Sequence, residues 1–142
     1  MTNCIFCEIV KRKSPSSIVY EDDACMAFMD IQPVNPGHVL VVPKQHFIDL
    51  KDLPPHIGGH LFQVAQQIAL SLPRTKVQIE GVDLFLAHGE AAGQDVFHVH
   101  LHVIPRYEGD GFGFKFGPNY RNLPERSELD TIATQIKHQL EK

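Results

Sequence analysis

The sequence predicts an α+β domain: a largely antiparallel sheet of about five strands, with one helix inserted and another closing the chain. Three observations lead there. Five short runs rich in β-branched or aromatic residues are bounded by Gly, Pro, Asn and Asp. The segment Pro54–Leu72 carries apolar residues at helical spacing, and so does the C-terminus. The strands come first, with the helix set among them rather than before or after.

Taken in order, Ile18–Glu21 and Ala24–Asp30 are expected as two strands joined at Asp22-Asp23, a hairpin. The stretch "IQPVNPGH" follows and is rich in turn formers. Pro36-Gly37 suits the centre of a type II turn, because proline presets the first position and glycine accepts positive φ at the second. His38–Val42 is a β-branched run ended by Pro43, the third strand. Pro54-Pro55 opens a helix at its first turn, where missing N–H groups cost little. Ile57, Leu61, Val64, Ala65, Ile68 and Leu72 then recur at helical spacing before Pro73. Val82–Ala87 reads as the fourth strand and His98–Ile104 as the fifth, closed by Pro105. Ser127 and Asp130 form a capping-box-like start to the last helix, with Leu129, Ile132, Ala133, Ile136 and Leu140 on one face.

Bulk properties narrow the function. At 142 residues, 43% hydrophobic and 21% charged, the chain is an ordinary globular domain with room for a core. A net charge of −4 without any block of Lys or Arg argues against a nucleic-acid surface, though a small anion fits a locally prepared pocket. No run reaches the length of a membrane-spanning helix, and "MTNCIFCEIVKRK" does not resemble a signal peptide. Three cysteines argue against a disulfide framework and fit a reducing cytoplasm. There Cys4-x-x-Cys7 reads as a metal pair or a redox pair, while Cys25, in an apolar run, reads as an inert buried thiol.

The chemistry concentrates in "FHVHLHVIPR", residues 97–106. On a strand, His98, His100 and His102 share one face and Val99, Leu101 and Val103 the other. A row stepping roughly 7 Å per pair keeps the outer two too far apart for one small metal. Just upstream, "HGEAAGQD" holds small residues and Gly93, which let backbone N–H groups approach an anion. A neutral imidazole beside such a loop suits nucleophilic attack at phosphorus.

"HVHLHVIPR" resembles the signature of the histidine triad (HIT) superfamily of nucleotidyl hydrolases and transferases. The stretch "CIFCEIVKRKSPSSIVYEDDACMAFMDIQPVNPGHVLVVPKQH" is similar to that family's N-terminal half, so the resemblance spans roughly residues 4–107. It implies a histidine-triad-like fold, with the N-terminal segment, sheet, helix and catalytic strand in 1–107. Residues 108–142 would add a glycine–aromatic loop and a helix to the same domain. It further implies that His100 attacks an α-phosphorus, giving a nucleotidyl-histidine that water hydrolyses and releasing AMP or GMP. By the same resemblance His102 and His38 serve the nucleophile and leaving group. Gly93, Gln94, Asp95 and Val96 lie at the phosphate, Gln94 and the backbone amides holding its oxygens. Asp30 takes the ribose hydroxyls, and Phe28, Ile31 and Leu40 line the base slot.

One branch of the superfamily has a structural zinc held by a Cys-x-x-Cys pair, a histidine after the "VVPK" strand and the first triad histidine. Here the matching residues are Cys4, Cys7, His46 and His98, a closed set with no open position. Family members are typically homodimers through the inserted helix and adjoining strands, so a homodimer is expected.

Two departures stand out. Ala87-His88 replaces an asparagine pair common among relatives. Asp95 stands where the phosphoramidase branch often has a serine; its carboxylate repels a polyphosphate if ionised, or is paired, or acts as an acid. In "RYEGDGFGFKFGPNYR" the aromatics and Lys115 close over a base or a second nucleotide, or the segment is a mobile tail partly ordered by dimer packing. Other readings stay open: a non-catalytic nucleotide-binding sensor or adaptor on the same fold, and a metalloenzyme whose three triad histidines hold a catalytic metal.

Overall fold

The computed structural model describes residues 3–142. The chain forms two compact units, Met1–Gly111 and Phe112–Lys142. The first holds helix α1 (Ile5–Val10), strands β1 (Ile18–Glu21), β2 (Cys25–Met29) and β3 (Val39–Pro43), helix α2 (Pro55–Ser71), β4 (Gly81–Phe85) and β5 (Leu101–Arg106). The second holds helix α3 (Arg126–Leu140). The strands form one sheet in the order β1-β2-β3-β5-β4, every neighbouring pair antiparallel. The expected fold class is the observed one.

The central strands are buried on both faces, which is why they read as continuous apolar runs. Alternate residues Cys25, Ala27, Val39, Val41, Leu101 and Val103 pack with Leu61, Val64 and Ala65 of α2. The intervening Met26, Phe28, Leu40 and Val42 pack with Phe6 and Ile9 of α1. Period two thus sends successive side chains into two different cores. Full burial of each Leu, Val or Phe contributes roughly 1.5–3 kcal/mol.

Turn chemistry sets the joints. The Asp22 carboxylate accepts the Ala24 and Cys25 amides at 2.8 Å each, closing the β1–β2 hairpin. His38 N–H donates to the Asn35 carbonyl at 3.2 Å with Gly37 at φ +99°, the expected type II turn. Asn35 is buried and donates to the Pro105 carbonyl and the Asp110 carboxylate, tying that turn to the end of β5.

Three expectations shift. Helix α1 was not foreseen; Cys4 caps it, its Sγ accepting the Cys7 amide at 3.5 Å. The last helix starts at Arg126 rather than at a Ser127/Asp130 box, because Glu125 and Glu128 exchange the reciprocal capping bonds two residues earlier. The fifth strand ladder begins at Leu101 rather than His98 and runs through Pro105 to Arg106. The β3–β5 pairing ends at Val41 opposite Leu101, and the Val99 N–H donates to the Phe47 carbonyl at 2.8 Å instead of into the ladder. In the second unit, Phe116 stacks on Tyr120 at 3.8 Å between centroids.

Candidate functional site

Although His98–His100 lie outside the ladder, the alternation of the sequence persists. Val99, Leu101 and Val103 enter the core under α2, and the three histidines take the other side. Their backbone partners then fix what each ring can do.

His98 is fully buried, 0% exposed, and its Nε2 lies 2.8 Å from the Pro43 carbonyl. A carbonyl accepts only, so the proton sits on Nε2 and Nδ1 carries a lone pair. That Nδ1 lies 3.4 Å from Cys4 Sγ, 3.6 Å from Cys7 Sγ and 3.2 Å from His46 Nδ1. His46 Nδ1 is 3.3 Å from Cys7 Sγ. A tetrahedral zinc at its usual bond lengths, about 2.05 Å to N and about 2.3 Å to S, separates ligand atoms by about 3.4 Å (N to N) and about 3.6 Å (N to S). Donor type and spacing therefore both fit a four-coordinate metal. The four residues form one cluster with all ligand atoms within 4.8 Å of one another.

His100 is 5% exposed, and its Nδ1 lies 2.8 Å from the His98 carbonyl. By the same logic Nδ1 holds the proton and Nε2 presents a lone pair. Phe6 packs edge-on against the ring at 5.1 Å, a contact available only because α1 lies over this face.

His102 and His38 form a chain. The Val34 amide donates to His38 Nδ1 at 3.0 Å, so His38 carries its proton on Nε2. That proton goes to His102 Nδ1 at 2.9 Å, leaving His102 with a proton on its own Nε2. Asp30 Oδ2 stands 3.5 Å from His38 Nε2. Burial, with His100 and His38 adding repulsion, pushes His102 down to about 4. Burial, together with His46 and His100, pushes His98 to about 4 as well, against the pull of the Pro43 carbonyl bond. Burial also lowers His38, opposed by Asp30. Neutral rings are what these tautomers require.

A cleft of about 390 Å³ opens beside the histidines, lined by Phe28, Asp30, Ile31, Leu40, Asp95, Val96, His100 and His102. Eight of the expected residues thus share one cavity. Sequence reasoning missed the wall formed by Ile5, Phe6 and Ile9; apolar residues around the Cys4–Cys7 spacing were the available signal. Ile31 is 95% exposed at the rim.

Gly93, Gln94 and His38 do not line the cleft. Gly93, at φ +95°, closes a 3₁₀ turn over Glu90–Ala92. The Gly93 and Gln94 amides donate to the Glu90 and Gly89 carbonyls. Gln94 is 3% exposed, and both of its amide hydrogens are committed, to the Ile48 and Val96 carbonyls at 2.7 and 3.2 Å. Its Oε1 accepts the Gly89 amide at 2.9 Å. Gln94 holds the loop in place, and its donors are not available to a phosphate oxygen. His88 likewise faces the protein, its Nδ1 accepting the Leu50 amide at 3.1 Å.

The triad histidines do not converge on one ion. Among the described residues, the clusters able to hold a metal split them: His98 belongs with Cys4, Cys7 and His46, and His102 with Asp30 and His38. No helix among the described residues is long and apolar enough to cross a membrane.

Known proteins resemble this chain in sequence and in fold. The family model described as HIT domain matches residues 11–109. A solved HIT family protein from Bacillus anthracis is 43% identical, with a TM-score of 0.87 over 96% of each chain. A structure described as a Zn-bound histidine triad family protein, from Mycobacterium smegmatis, is 36% identical with a TM-score of 0.75, covering 98% of this chain and 96% of that one. A relative named adenylylsulfatase HINT3, from Arabidopsis thaliana, is 35% identical over 76% of this chain and 54% of its own.

Proposed function

The chain belongs to the HIT domain family, and from that premise we propose that it is a nucleotidyl hydrolase or transferase. Its substrate is a nucleoside polyphosphate, phosphoramidate or mixed anhydride, cleaved at the α-phosphate to release AMP or GMP. One observation carries the reading: the 2.8 Å bond from His100 Nδ1 to the His98 carbonyl leaves an unprotonated Nε2 at the cleft.

Nε2 of His100 attacks the α-phosphorus, the bond to the leaving group breaks, and water later displaces the nucleotide from the ring. Two modest displacements replace one difficult attack by water. The proton left on His102 Nε2 by the Val34–His38–His102 chain is the donor for the leaving group or a non-bridging oxygen. The backbone amides of Asp95 and Val96, unpaired among the described residues, add stabilisation where negative charge develops. Asp30 at the rim takes ribose hydroxyls, and Phe28, Leu40 and Ile31 the base. The relative named adenylylsulfatase supports chemistry at an adenylyl phosphorus.

Cys4, Cys7, His46 and His98 would hold a structural zinc, tying the N-terminal segment to the catalytic one. By fixing His98, those ligands also fix the carbonyl that sets the His100 tautomer. The exposed Leu84 and Phe85 on the edge strand β4 support a homodimer as part of the same reading, and the free thiols of Cys4, Cys7 and Cys25 fit a cytoplasmic setting.

Rapid-quench mass spectrometry with a panel of adenylyl substrates tests the proposal. Wild type accumulates an adenylyl adduct; His100→Ala forms none and loses about a thousandfold or more in turnover with unchanged zinc content. Tight nucleotide binding by wild type with no adduct from any substrate would replace this reading with the sensor.

A further inference from the structure

The cleft has a neighbouring hollow on the Asp95 side of the site. This hollow, of about 400 Å³, is walled by the apolar Ile5, Ile48, Val96 and Phe97 together with Asn3, Asp95 and two of the proposed zinc ligands, Cys4 and His46. It meets the nucleotide cleft along Ile5, Asp95 and Val96, which line both. At that junction the Asp95 carboxylate stands 3.7 Å from His100 Nε2, with its side chain 83% exposed. Among the described residues, no lysine or arginine lines either hollow, while Asp30 and Asp95 both do.

This charge pattern is the reverse of what a polyphosphate needs. Proteins that hold transferring phosphates place Lys, Arg or a divalent cation on the leaving oxygens. Here a group attached to the α-phosphorus meets the Asp95 carboxylate and a wall that is apolar apart from Asn3, Cys4 and His46.

Resting on the hydrolase reading above, we propose that Asp95 is a charge filter at the leaving-group side of the site. It rejects anionic leaving groups and favours an amine carried on an apolar, positively charged body, seated in the Ile5–Ile48–Phe97 hollow. The step it selects is balanced. The Nε2–P bond forms, the P–N bond breaks, and the amine departs with the electron pair and takes the His102 Nε2 proton. Hydrolysis of the adduct by water afterwards returns one proton to the histidines.

The test compares kcat/KM for an adenylyl phosphoramidate of hexanediamine (cationic leaving group) with adenylyl sulfate and diadenosine tetraphosphate (anionic). Wild type, Asp95→Asn and Asp95→Glu are measured, each with its adenylyl adduct quantified. The high exposure of Asp95 makes these substitutions compatible with folding. Asp95→Asn is expected to shift the cationic-to-anionic preference by about tenfold or more towards the anionic substrates, the scale of one charge contact near a protein surface. Asp95→Glu retains the wild-type preference. The shift shrinks near 0.5 M salt, where the Debye length falls to about 4 Å. Adducts in all three proteins with the same preference would overturn the filter and leave the hydrolase reading intact. Absence of any adduct in wild type would overturn both.

Discussion

Replacing Gln94 by leucine separates two roles that its position in "GEAAGQD" leaves open. Leucine keeps the volume and removes the amide, so the cost is the hydrogen bonds alone. Gln94 makes three: to the Ile48 and Val96 carbonyls and from the Gly89 amide. Each contributes about 1 kcal/mol net, because folding exchanges water bonds for protein bonds. Ile48 is half exposed, so solvent recovers part of its loss. The balance is a destabilisation of about 2–3 kcal/mol, or a fall in Tm of roughly 6–9 °C for a chain of this size. Thermal and urea melts measure it, alongside kcat/KM well below the melting range. If Gln94 instead donated to phosphate, Tm would stay within about 1 °C while kcat/KM fell. That result would refute the loop-holding role and the hydrogen-bond assignments behind it.

Other outcomes follow from the same geometry. Burial and the neighbouring Cys4 push the Cys7 thiol up to about 11, so zinc must displace its proton. Each thiol ligand gives up one proton on binding, so apparent zinc affinity, read by chelator competition, should rise with pH near neutrality by about tenfold per unit for each proton displaced, and Cys7→Ser should lose the metal; a flat profile contradicts the site. Burial alone would raise the Asp22 carboxyl, but bonds from His60, the Cys25 and Ala24 amides and Tyr20 outweigh it and hold it far below its ordinary 3.8. A depressed folded value means stability present above the unfolded value and lost as pH falls towards the folded one. Urea midpoints should thus drop below about pH 4 in wild type and flatten in Asp22→Asn; equal acid slopes would sink the assignment. Gly37→Ala forces φ +99° on a side chain whose Cβ meets Val77 Cγ1 at 2.9 Å and Pro105 Cγ at 3.1 Å. A loss of about 2 kcal/mol is expected in thermal melts, with impaired turnover because the adjacent His38 moves.

How far the sequence reached depends on the range of the physics involved. Period two in "HVHLHV" assigned Val99, Leu101 and Val103 to the core and the histidines to the opposite face, and packing bears this out. Strand β1 lies where the pattern placed it, and β2, β3 and helix α2 fall within a residue of theirs, because burial periodicity and turn residues are local signals. The Cys4, Cys7, His46 and His98 grouping was legible only through resemblance, since ligands 94 positions apart leave no local trace; the fold brings them together. Helix α1 escaped notice because six residues with a thiol cap show too little periodicity.

What only the tertiary structure decided is the state of each polar group. Four ring nitrogens take their roles from the Pro43 and His98 carbonyls, the Val34 amide and a neighbouring histidine, partners that composition does not name. The same holds for Gln94, whose donors turn inward, and for Asp95, whose carboxylate stands beside the nucleophile where two hollows meet. A sequence specifies which groups can ionise or donate. Hydrogen bonds and burial are short-ranged and directional, so which of them do so depends on atoms that folding alone brings within reach.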